Sequence, residues 1–133
     1  MNRNELQTCI AENYHVTGEF LWEKYPNYQA FRHPGNRKWF ALVMDVPKAK
    51  LGLTGEGTLD VVDVKCDPLM IGSMRKEPGI YPAYRMSKDS WITVALDGTV
   101  PDETIQMLLD MSYRLTEPKP KRKATKGQTP RRN

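Results

Sequence analysis

The sequence is poor in the residues from which most catalytic and metal centres are built. It holds two histidines and two cysteines in 133 residues. His15 and His33 lie in different segments, with no HxH or HxxxH spacing and no clustered carboxylates beside them, so no metal-ligand set is expected. Cys9 and Cys66 are far apart and lack CxxC spacing, which points away from a zinc knuckle or a disulfide framework. Cys66 alternates with Val62 and Val64 and reads as a buried, inert thiol. Cys9 shares the apolar face of the first helical segment and reads the same way. Nucleophilic catalysis would need a Cys or Ser with a base positioned to activate it, and neither cysteine reads as such a nucleophile. Gly52, Gly55 and Gly57 are not followed by the Lys-Ser/Thr of a phosphate loop. The expectation is a non-enzymatic chain without cofactor or metal.

Long hydrophobic runs are also missing. Nothing is long and apolar enough to cross a bilayer. The opening Met1-Asn2-Arg3-Asn4-Glu5-Leu6 lacks the uninterrupted apolar stretch of a secretory signal. A cytoplasmic protein is expected, and a hydrophobic fraction of 39% with 27% charged residues fits a globular one.

What is abundant is basic charge, and it is concentrated in one place. Residues 117–133 carry seven Lys/Arg (Lys119, Lys121, Arg122, Lys123, Lys126, Arg131, Arg132) against Glu117 alone, a net of +6. The other 116 residues hold thirteen Lys/Arg and fifteen Asp/Glu, a net of −2. Pro118, Pro120 and Pro130, with no large apolar side chain among them, predict a disordered C-terminal tail. The division is one domain over 1–116 and a tail over 117–133. The basic character that would ordinarily imply nucleic acid therefore belongs to the tail. Six net positive charges would attract nucleic acid or anionic lipid by counterion release, or would simply keep the chain soluble.

Along the domain, Leu6, Cys9, Ile10 and Tyr14 fall at helical spacing, with Asn2 or Asn4 available as cap. An aromatic-rich lead-in (Phe20, Trp22, Tyr25, Tyr28, Phe31) runs into a strand near residues 29–33. Pro34-Gly35-Asn36 is a turn signal. The near-continuous apolar run Lys38 to Met44 predicts a central strand, and residues 47–57 a loop. From Leu59 to Cys66 residues alternate, with Val61, Asp63 and Lys65 facing away from Val62 and Val64. Asp67-Pro68 is a helix start for a helix reaching about Lys76. Short strands are expected at Ala83–Met86 and Trp91–Leu96. A last helix opens at Pro101-Asp102-Glu103, acids in its first turn, with Ile105, Leu108, Leu109, Ser112 and Leu115 as its inner stripe. The implied class is α+β: an antiparallel sheet with helices packed on one face and the other face at least partly open.

Several of these stretches together resemble the MmcQ/YjbR-like family of small bacterial proteins. They are Phe31-Arg32-His33 with Asn36, Lys38-Trp39-Phe40-Ala41-Leu42, and Lys65-Cys66-Asp67-Pro68. Tyr81-Pro82-Ala83-Tyr84 follows with Met86, Lys88 and Trp91, then Leu96-Asp97-Gly98 and Pro101-Asp102-Glu103. The resemblance implies a CyaY/frataxin-like arrangement and DNA binding. Arg85 stands where family members tend to carry His. The acidic ridge with which frataxins bind iron has no counterpart here, where the first helix offers Glu5 and Glu12.

The sheet face opposite the helices is the candidate surface, with Lys65, Tyr84, Arg85, Lys88 and Trp91 as its contact set. Rings interleaved with cations suit single-stranded DNA or RNA. The same residue types suit a protein partner or a homodimer, in an adaptor role. They could instead pair among themselves, Trp91 packing on Arg85 and Tyr84 across a hairpin. A pocket under Trp22, Tyr25 and Trp39 is a further alternative.

Overall fold

A computed structural model describes residues 1–118; the seven basic residues of the tail, and the disorder expected of them, lie outside the described residues. Helix α1 (Arg3–Tyr14) starts from a reciprocal cap. The Asn2 side chain accepts from the Glu5 N–H at 2.8 Å, and the Glu5 carboxylate accepts from the Asn2 N–H at 2.8 Å. It is followed by strands β1 (Gln29–Arg32), β2 (Trp39–Pro47) and β3 (Thr58–Lys65), then helix α2 (Pro68–Met74). The fold closes with strands β4 (Ile80–Pro82) and β5 (Trp91–Ala95) and helix α3 (Asp102–Thr116). The five strands form one antiparallel sheet in the order β1-β2-β3-β5-β4. The α+β class with an antiparallel sheet is as the sequence implies.

The helices α1, α2 and α3 lie on one face. Leu6 and Ile10 of α1, Ile71 of α2, and Ile105, Leu108 and Leu109 of α3 pack on Phe31, Phe40, Val43, Val62, Val64, Ile92 and Val94 of the sheet. Asp67 caps α2 by accepting from the Leu69 N–H at 3.0 Å, with Pro68 at the first helical position. Helix α2 ends at Met74, two residues short of the expected Lys76. The inner stripe of α3 ends in Thr116, 3% exposed, whereas Leu115 is 45% exposed. Successive residues lie about 100° apart round a helix, so the contact of Thr116 Oγ1 with His33 Nε2 at 2.9 Å turns Leu115 outward.

The opposite face is covered over its middle and open at one end. A second cluster of Tyr28, Ala30, Leu42, Met44, Val46 and Val61 is covered by Trp22, Trp39, Tyr84 and Met86. Asp63 and Thr93 are fully buried there and Trp91 is 8% exposed. The aromatic lead-in and the 84–86 segment fold back over the sheet, because a row of Leu, Met and Val left in water would be too costly. The strand expected at Ala83–Met86 lies at Ile80–Pro82 instead. Beyond Pro82 the ladder gives way to a side chain, the Tyr84 N–H donating to Thr93 Oγ1 at 2.8 Å. Arg85 then turns into the left-handed region at φ 74°, which no strand continues through.

Candidate functional site

The start of β2, the end of β3 and the start of β5 lie side by side, with Lys65 and Trp91 directly paired. There, next to the second cluster, is a depression of about 340 Å³ lined by Arg37, Lys38, Trp39, Lys65, Met86, Trp91 and Thr116. Three of these side chains are cations and none is an acid. None of Arg37, Lys38 and Lys65 enters the four ion pairs found among the described residues.

A β-bulge accounts for this placement. Between Phe31 and Arg32 the β1–β2 register shifts, so that Phe31 faces Ala41 while Arg32 faces Trp39. The extra residue lets Phe40 and Ala41 both enter the helix-side core and leaves Trp39 on the other face. Ser112 of α3 braces the bulge: its hydroxyl donates to the Phe40 carbonyl at 2.5 Å and accepts the Lys65 N–H at 2.8 Å. The turn that presents Arg37 and Lys38 is tied to the end of α3. Asn36 Nδ2 donates to the Thr116 carbonyl at 2.9 Å, and Asn36 Oδ1 accepts the Lys38 N–H at 3.0 Å. Arg37 itself is left-handed, at φ 65°. Beneath it His33, 2% exposed, sets Nε2 at 3.0 Å from the Tyr113 carbonyl and 2.9 Å from Thr116 Oγ1. Burial holds its imidazole below the usual histidine range, and a neutral ring with its proton on Nε2 satisfies both contacts. Trp22 meets Trp39 edge to face, with ring centroids 5.3 Å apart.

The contact set anticipated from sequence does not come together. Lys65 and Trp91 line the depression, but Trp91 forms part of its wall and is not an open stacking surface. Tyr84 and Arg85 turn elsewhere. The Arg85 guanidinium lies over the rings of Tyr25, Tyr84 and Tyr28 at 4.7, 5.2 and 5.8 Å, and its Nε donates to the Tyr28 hydroxyl at 3.1 Å. Arg85 therefore stacks on tyrosines and not across the hairpin on Trp91. Lys88 is exposed, and its charge acts on the buried Asp63 carboxylate. The depression takes in Trp39 but neither Trp22 nor Tyr25; those two rings pack on Tyr28. Arg37, Lys38, Trp39, Met86 and Thr116 are the lining residues that the sequence-based set omits. A pair of cations directly after Pro34-Gly35-Asn36 and directly before Trp39 is the signal that could have found Arg37 and Lys38.

Under the 84–86 segment, Asp63 accepts from the Thr93 hydroxyl at 2.5 Å through Oδ1, while Oδ2 is buried without a partner among the described residues. Burial pushes this carboxyl up to about 8; the Thr93 bond and the Lys88 charge pull the other way. Cys66 is buried and its thiol is raised by burial. Cys9 is half-buried, its sulfur accepting from Asn13 Nδ2 at 3.3 Å. Among the described residues no three His, Cys, Asp or Glu side chains are grouped to hold a metal ion. Among them no helix is long and apolar enough to cross a membrane.

The comparisons with known proteins agree with this architecture. The YjbR family model matches residues 11–115. The "Uncharacterized protein YyaQ" of Bacillus subtilis is 38% identical over 117 residues, covering 88% of this chain and 99% of that protein. A crystal structure of a Pseudomonas syringae protein superposes with a TM-score of 0.86 at 44% identity, covering 88% of this chain and all of the other. A crystal structure of a Deinococcus radiodurans protein superposes at 0.66 with 27% identity, over 86% of this chain and 77% of the other. The chain belongs to the YjbR family.

Proposed function

We propose that this is a non-enzymatic nucleic-acid-binding domain, DNA being the first candidate, and that the depression at the ends of β2, β3 and β5 is its contact point. The observation that carries the reading is the lining itself: Arg37, Lys38 and Lys65 beside Trp39 and Trp91, without one carboxylate. In a domain whose first 116 residues have a net charge of −2, such a spot is a local departure from the surrounding charge. Phosphates would meet the cations and a base would stack on the Trp39 indole, with Trp91 as wall. The left-handed backbone at Arg37 supports the same reading. Non-glycine residues hold that conformation at a cost of roughly 1–3 kcal/mol, and such strain gathers at binding sites.

The tail adds to the same surface. Thr116 lines the depression and Pro118 lies against Gly35, so the chain enters the tail beside the basic turn. The tail's seven cations join a polyanion that the depression has engaged. The test is anisotropy of a labelled DNA oligonucleotide with the full chain, a truncation after Pro118, and a Lys38→Ala/Lys65→Ala double variant. Each phosphate contact contributes ~0.7–0.9 to the slope of log K against log salt. The double variant should lower that slope by about 1.5 and the truncation by more. Unchanged affinity and slope in the double variant would remove the depression from the reading.

A protein partner is the second reading, favoured by a separate strip. Phe20, Leu21 and Tyr25 are 63%, 43% and 38% exposed on the lead-in, next to Arg85, a hot-spot composition. A defined dimer in sedimentation velocity that Phe20→Ser disrupts, with no oligonucleotide binding, would select it.

A further inference from the structure

We infer that the ligand of the depression is single-stranded nucleic acid, engaged with little regard to base identity, one base entering the hollow while its flanking phosphates meet Arg37, Lys38 and Lys65. This rests on the nucleic-acid reading above and narrows it by shape. A duplex keeps its bases stacked inside and offers grooves, so proteins read it with an element that protrudes, a helix or a two-stranded ribbon. The cations and indoles here line a concavity instead. Helix α3 contributes only its last residue, Thr116, and α1 and α2 contribute nothing. A concave site takes a group that projects from the ligand, and an unpaired base is such a group. At about 340 Å³ the shallow hollow lies at the small end of the ~300–1,000 Å³ typical of small-ligand clefts, room for a single base to lie in it.

The lining also fixes how selective the contact is. Reading a base edge needs amide or carboxylate side chains, or arginine forks, set in fixed positions. Among the described residues no amide and no carboxylate lines the hollow, and its one arginine, Arg37, is on the rim turn with the phosphate-directed Lys38. Its single hydroxyl, on Thr116, is committed, since it donates to the Ser112 carbonyl at 2.7 Å and stands 2.9 Å from His33 Nε2. Indole faces and the Met86 thioether accept any base, because every base has a π face. Trp39 is fixed by the edge-to-face contact with Trp22, so the platform is set before the ligand arrives.

The experiment uses the full chain with dT and dA homopolymers of about ten nucleotides, within the ~4–16 covered by comparable single-strand sites, and a mixed-sequence duplex of equal length. Indole fluorescence and anisotropy are followed at one low salt concentration. The single strands should bind about tenfold more tightly than the duplex and quench indole emission, dT and dA differing by less than about threefold. Trp39→Ala should weaken single-strand binding roughly tenfold and leave duplex binding within about twofold. The comparison of ligands on the unmodified chain needs no variant, so a misfolded Trp39→Ala leaves the test intact. A duplex bound as tightly as the single strands, or a strong preference between dT and dA, overturns this inference and leaves the nucleic-acid reading standing. Failure to bind any of the three overturns both.

Discussion

Replacing Asp63 by Asn should make the domain more stable at neutral and alkaline pH, by an amount that grows with pH. Asp63 is fully buried between Leu42 and Thr93, its partners on the two flanking strands, and one carboxylate oxygen has no hydrogen-bond partner among the described residues. Its pKa is pushed from the ordinary 3.8 to about 8 by burial. Below about pH 4 folded and unfolded chains are both protonated at this site and it costs nothing. Between about pH 4 and pH 8 the folded chain retains a proton that the unfolded chain has released, so stability falls by about 1.4 kcal/mol per pH unit. Above about pH 8 the penalty is full and constant. About four units set a ceiling of about 5 kcal/mol. Local relaxation reduces this, and roughly 3 kcal/mol is the working figure. In the Asp63→Asn variant the amide oxygen still accepts from the Thr93 hydroxyl, and the titration is gone. Urea unfolding at pH 5, 7 and 9, followed by circular dichroism, measures the difference between variant and parent, in which every other titrating group cancels. The difference should rise in favour of the variant and level off above about pH 8. A difference that stays constant from pH 5 to 9 would refute the assignment of a protonated, buried carboxyl.

The other expectations concern the braces of the site. Ser112→Ala strips the Lys65 N–H and the Phe40 carbonyl of their shared partner, and should cost about 2–3 kcal/mol in urea unfolding; a loss under about 0.5 kcal/mol would mean the bulge stands without it. His33 opposes Asp63 in sign. Its folded pKa lies below the unfolded value of 6.5, so the unfolded chain takes up the proton first and stability is lost as pH falls from about 6.5 toward the lowered folded value. His33→Gln removes the titration, so the stability difference between variant and parent, in which Asp63 cancels, should grow in the variant's favour as pH falls from about 7.5 to 5; a difference that stays constant would place the effect elsewhere.

Much of the fold is legible in the sequence because it rests on short-range chemistry. An asparagine cap, which falls on Asn2 of the two candidates, the Asp67-Pro68 start and the alternation of Val62 and Val64 with Asp63 and Lys65 are local signals, and the structure carries each. Two departures have a common cause. Composition and period put a strand at Ala83–Met86 and Leu115 on the inner stripe, but the fate of both depends on a distant partner. Tyr84 leaves the ladder because Thr93 offers a hydroxyl, and α3 turns Leu115 outward because His33 takes up Thr116. Neither partner is near in sequence.

The site is half legible for a related reason. Alternation correctly places Asp63, Lys65, Trp91 and Thr93 on one side of the sheet, but periodicity says which side a residue faces and nothing about what lies above it. The cover comes from Trp22 and Tyr28, whose crowding in the lead-in reads equally well as surface or as core. Once they fold over the sheet, the middle of that face is closed, and only its end, where three strands terminate together, still meets solvent. That geometry selects the residues flanking the strand ends over those in mid-strand. It turns Arg37 and Lys38 from a polar turn into the rim of a site, because the bulge beside them rotates Trp39 away from the helices. Without the bulge, strict alternation from Ala41 would carry Trp39 into the helix-side core, and the depression would lose its exposed ring.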